Sequence, residues 1–102
     1  MLNLILYIFL VGNAINLAPE AKFTSQIKGI VITADTRVPV ANAYLYIVKG
    51  EEEALTNAKG EFTLTTAERM PFSVTVVHKD FRQSSFKVKD ASRPLIFTLQ
   101  RK

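Results

Sequence analysis

Beyond its first twenty residues, this chain places its apolar side chains at every second position. Ala43, Leu45 and Ile47 share one side of an extended stretch, and Tyr44, Tyr46 and Val48 share the other. Phe62 and Leu64 alternate with Glu61 and Thr63. Phe72, Val74, Val76 and His78 alternate with Ser73, Thr75 and Val77. Phe86 and Val88 form a further set, as do Leu95, Phe97 and Leu99. A period of two is the signature of half-buried strands, and no stretch of the body sustains the 3.6-residue period of an amphipathic helix.

The alternation predicts strands over Gln26–Thr33, Ala43–Lys49, Glu53–Thr56, Glu61–Thr65, Phe72–His78, Gln83–Val88 and Leu95–Gln100. Short strands at such even spacing, with turn residues between them, predict an antiparallel two-sheet sandwich or barrel. Asn57-Ala58-Lys59-Gly60 is a turn in which Asn opens the bend and Gly60 takes the positive φ. The segment Asp35–Asn42 is a longer connection. Pro39 within it has no N–H to give a ladder, so the stretch is a loop or an edge. Met70-Pro71 marks the entry to the fifth strand.

Charge divides the chain in two. No charged side chain precedes Glu20, and Leu2–Val11 is apolar except for Asn3. Small residues stand at the −3 and −1 positions of a cut after Ala14, as in a secretory signal peptide. A cut after Ala18 is disfavoured by Pro19. The apolar run is about half of the ~20 residues a membrane-spanning helix needs. The expectation is an apolar signal helix over residues 1–18, followed by one domain over residues 19–102. Export to the periplasm, the outer membrane or the exterior follows, with membrane contact only through the leader if it stays uncleaved. The chain has no cysteine, so neither a disulfide nor a lipid-bearing thiol is available. An exported chain without cysteine fits a bacterial envelope better than a disulfide-dependent secretory route.

Within the body the charge is uneven. Glu20–His78 is nearly balanced, whereas Lys79–Lys102 is basic. Lysines dispersed along strands also discourage edge-to-edge pairing. Their dispersal, together with export, argues against nucleic acid as a partner.

Several segments coincide in order: Lys28-Gly29-Ile30-Val31, then Val38-Pro39-Val40-Ala41-Asn42-Ala43, then Thr56 with Gly60 and Phe62, then Phe72–Val76 and Phe81. This order resembles the carboxypeptidase-regulatory-like domain over about Gln26–Gln100. The resemblance implies a seven-stranded antiparallel Greek-key β-sandwich of the transthyretin-like type, with Gly29, Pro39, Gly60, Phe62 and Phe81 as its turn and core residues. Asp80-Phe81 departs from the family's Gly-Tyr and removes a tyrosine hydroxyl. The resemblance further implies a non-catalytic accessory that stands alone after a signal peptide. Such domains also precede the plug of outer-membrane nutrient receptors, so a truncated TonB-dependent receptor is an alternative.

The residues themselves offer little for catalysis. His78 is the one histidine, and a metal site needs further ligands at suitable spacing. His78 and Asp80 share one side of an extended chain, but without a nucleophile beside them they make no triad. Glu51-Glu52-Glu53 reads as a solvated hairpin tip, since calcium would need oxygen ligands from other loops as well. No catalytic residue, metal or cofactor is expected. Tyr44 and Tyr46, opposite the inward Ala43, Leu45 and Ile47, are the candidate contact residues. The expected partner is another envelope protein, because a sandwich edge accepts a partner strand without any catalytic group. A glycan stacked on the two tyrosines is the alternative.

Overall fold

A computed structural model describes residues 24–102. The expected leader over residues 1–18 lies outside the described residues. Seven strands make up the domain: β1 (Ser25–Thr33), β2 (Tyr44–Val48), β3 (Glu52–Leu55), β4 (Glu61–Thr66), β5 (Phe72–His78), β6 (Phe81–Val88) and β7 (Leu95–Leu99). There is no helix among the described residues. The strands form a three-stranded sheet in the order β4-β1-β7 and a four-stranded sheet in the order β3-β2-β5-β6.

The alternating side chains meet between these sheets. Ile27, Val31, Phe62, Leu64, Phe97 and Leu99 from the first sheet join Leu45, Val74, Val76 and Val88 from the second in one buried cluster. Polar residues mostly face outward, as Glu61, Thr63 and Thr65 do in β4, whereas Thr33 and Thr66 are buried at strand ends. Burial of these apolar side chains is the main force that sets each strand's register, because a one-residue slip would move a whole set to solvent.

The pairing is not wholly antiparallel, contrary to the expectation. β1 and β7 run parallel, with Gly29 opposite Leu95 and Thr33 opposite Leu99. No hairpin links them, since the other five strands lie between, and only a long return path can join parallel neighbours. All other named pairs are antiparallel.

Some boundaries differ too. β6 opens at Phe81 rather than Gln83, because the His78–Phe81 pair closes a tight turn around Lys79-Asp80. β3 ends at Leu55, and Thr56 turns its hydroxyl inward as the chain leaves the strand. Its Oγ1 donates to the Val40 carbonyl at 2.6 Å and accepts the Ala43 N–H at 2.8 Å. Asn57 accepts the Lys59 and Glu61 N–H groups on Oδ1, each at 2.9 Å, and Gly60 has φ of 75° as the turn requires. Pro39 forms a bridge with Ile32, so this part of the connection lies along an edge.

Candidate functional site

The four-stranded sheet exposes the face that carries both tyrosines. β2 is flanked by β3 and β5, so its outward side chains have neighbours on both sides. Tyr44 lies opposite Leu55 and Val77, and Tyr46 lies opposite Glu53 and Thr75. The rings are tilted by 41° with centroids 5.4 Å apart. Both tyrosines are half-buried, whereas Leu55 is 63% exposed. The result is a shallow depression lined by Tyr44, Glu53, Ala54 and Leu55.

Its rim is polar. The Glu53 carboxylate, diagonal to Tyr44, holds the phenol above its usual range, chiefly through hydrogen bonding. Burial and the negative charge of Glu53 act in the same direction. The Lys49 ammonium stands 5.9 Å from the Tyr46 ring centroid, within cation–π reach. Thr75 and Ser85 hydroxyls pair at 3.0 Å across β5 and β6. An amphipathic aromatic surface with a carboxylate, an ammonium and hydroxyls around it can stack against a flat or extended ligand and hold its polar groups.

Leu55, Glu53 and Val77 belong to this face, and the sequence reading did not include them. Leu55 had a visible signal: in Glu52–Leu55 it is the residue whose side matches Glu53 rather than the core. In the glutamate run Glu51 and Glu53 are exposed, and Glu52 alone is half-buried. Glu52 leaves the run to accept the Thr66 hydroxyl and the Ala67 N–H, the latter at 2.7 Å, and so ties β3 to the end of β4.

Of the residues singled out for structure, Gly29 and Phe62 lie on the three-stranded sheet, Pro39 and Gly60 pack against β1, and Phe81 opens β6. Phe62 lies opposite Gly29, and its ring stacks on Phe97 at 5.4 Å, which stacks on Phe86 at 4.5 Å. A Cβ at Gly60 would stand 2.6 Å from the Val31 carbonyl oxygen and 3.2 Å from Pro39. Thr56, Gly60 and Pro39 therefore meet at one end of the core. Phe81 is buried at the same end. The Arg101 guanidinium lies 5.2 Å from its ring centroid and reaches Asp35 at 3.1 Å.

His78 serves the β5–β6 turn. Its Nδ1 accepts the Asp80 backbone N–H at 3.1 Å, and its ring meets Phe81 edge-on at 5.2 Å. The contact with Asp80 is thus through the backbone rather than the carboxylate. Among the described residues, no three His, Cys, Asp or Glu side chains gather where they could hold a metal ion. No family model matches the chain, and no curated protein matches it.

Proposed function

We propose that this chain is an exported, non-catalytic interaction module of the bacterial envelope, of the carboxypeptidase-regulatory-like kind, that binds another protein. In this reading the two sheets form a transthyretin-like Greek-key sandwich. Thr56, Gly60 and Phe62 supply a buried hydroxyl, a positive-φ turn and a ring packed over Gly29, and their occurrence in this order is what supports the family resemblance.

The observation that carries the functional reading is the Tyr44–Tyr46–Leu55 face. Tyrosines anchor interfaces well, since they bring large contact area with few rotors and a polar tip. Here they sit on a central strand, held from both sides, beside a leucine left largely in water. His78 is occupied in a turn, which fits a structural role for the one imidazole.

A glycan is the second reading. The Thr75–Ser85 hydroxyl pair and Glu53 beside the tyrosine rings favour it, because sugars need stacking and hydrogen bonds together. One experiment separates the two. Envelope proteins captured by the full-length chain are identified and purified, and a glycan array is probed in parallel. Protein binding weakened by Tyr44→Ala and Tyr46→Ala, with a silent array, supports the first reading. A glycan hit lost in the same variants, with no protein bound, supports the second.

A further inference from the structure

We propose that the free edge of β7 receives an extended, acid-flanked segment of the partner protein as an added strand. The inference rests on the reading of the domain as a protein-interaction module, and adds where on the fold the partner's backbone docks.

The two sheets have four edge strands, and three of them are guarded. β3 is short and carries Glu52 and Glu53. β6 carries Arg82 and Lys87. β4 begins with Glu61, whose N–H and C=O are taken by Asn57, and Glu52 closes the seam at its far end. Short length and charge are the usual means by which edges are kept from pairing. β7, Leu95–Leu99, has neither charge nor proline within it.

The backbone of β7 is also correctly turned. Leu99 accepts the Ala34 N–H at 2.9 Å, so its main-chain groups face β1. Gln100 accepts the Arg82 N–H at 2.8 Å, so its carbonyl faces the other way. Successive residues of a strand alternate in this respect. Leu95 and Phe97 thus bond to β1, while Ile96 and Thr98 present N–H and C=O to the open side. Among the described residues these four groups have no partner. The seam between β6 and β7 is tied at the Gln100 end by the Arg82 bond and the Phe81–Arg101 bridge. Toward the other end lie half-buried Leu95 and Phe86, and Ile96 is 59% exposed.

Charge selects the occupant. β6 and the segments flanking it and β7 carry Arg82, Lys87, Lys89, Arg93, Arg101 and Lys102 against Asp80 and Asp90, and β7 itself carries no charge. An added strand with acidic ends meets these cations. A second copy pairing β7 on β7 would instead bring two β6 strands, each with Arg82 and Lys87, against one another. Main-chain bonds would supply affinity, and alternating β-branched side chains would settle on Ile96 and Phe86.

The test uses the full-length chain and a capped synthetic peptide, Glu-Val-Thr-Ile-Thr-Val-Glu. Amide hydrogen exchange is followed residue by residue by NMR. The expected result is about tenfold slower exchange at the Ile96 and Thr98 amides on peptide addition. That protection vanishes when alternate peptide nitrogens are methylated, and it weakens when lysines replace the terminal glutamates. Ile96→Asp, at an exposed outward position, reduces binding without moving the unfolding midpoint. Protection elsewhere, or equal binding by the methylated peptide, overturns the proposal. So does protection of these two amides that rises with protein concentration alone, which would mark a second copy. Tyr44→Ala with Tyr46→Ala leaves peptide protection unchanged if the edge is the site. Loss of protection in that variant overturns the edge, whereas a Tyr-dependent partner with an inert edge leaves the face reading standing.

Discussion

Gly29 and Phe62 face each other across the β1–β4 ladder, and the Phe62 ring fills the space that a side chain on Gly29 would need. A Cβ there would clash with the Leu95 carbonyl oxygen of β7 and stand 2.8 Å from Phe62 Cζ. The absent side chain thus lets β7 approach β1 and lets the Phe62–Phe97–Phe86 stack form. Gly29→Ala should destabilise the domain by about 1–3 kcal/mol, because the backbone carbonyl cannot step aside as a flexible side chain would. A lower urea midpoint at unchanged slope is the expected outcome.

The Thr56 hydroxyl bonds both the Val40 carbonyl and the Ala43 N–H in a buried setting. Thr56→Val keeps the shape and strands both partners. It should cost about 1–3 kcal/mol, the usual penalty for buried groups left unbonded. Thr56→Ser should retain most of the stability. Equal losses in the two variants, measured by denaturant titration, would assign the effect to packing instead.

The Tyr44 phenol is held above its usual range chiefly by hydrogen bonding to Glu53. Glu53→Gln should lower it toward the ordinary value of about 10. Ultraviolet titration of phenolate absorbance, in a Tyr46→Phe background with the remaining tyrosine signal subtracted, reads this directly. An unchanged Tyr44 titration would mean that Glu53 points away from the face in solution.

The Asp35 carboxyl is held below its usual range, first by the Thr36 backbone N–H at 2.6 Å and then by Arg101. A depressed folded-state value stabilises the fold above the unfolded value of about 3.9, and that contribution disappears as pH falls through the folded value. Acidification from about pH 6 to about pH 2 should therefore loosen the Asp35–Arg101 tie. The Arg101 side-chain signals should shift over that range in the wild type and stay constant in Asp35→Asn.

β2 and β5 of the four-stranded sheet were legible because each turns one face into the core. Ala43 and Leu45, Val74 and Val76 are inward as their alternation required. The parallel β1–β7 pair was not legible, because no turn residue encodes a contact between strands so distant in sequence. The Gly60 turn could be read from its own residues, whereas the Thr56 bridge depends on Val40 arriving from another segment. Tyr44 and Tyr46 were placed on the outer face by period alone. Their setting was not, since Glu53, Leu55 and Val77 come from strands whose register is set by the folded sheet.

The account depends most on the Tyr44–Tyr46–Leu55 face as the surface that holds a protein partner. Its direct test is the dissociation constant of the purified partner for the wild-type chain and for the Tyr44→Ala, Tyr46→Ala variant, with both unfolding midpoints measured alongside. The account predicts at least about a tenfold loss of affinity, as expected for removal of interface anchors, at nearly unchanged stability. Equal affinity in the two proteins would contradict it.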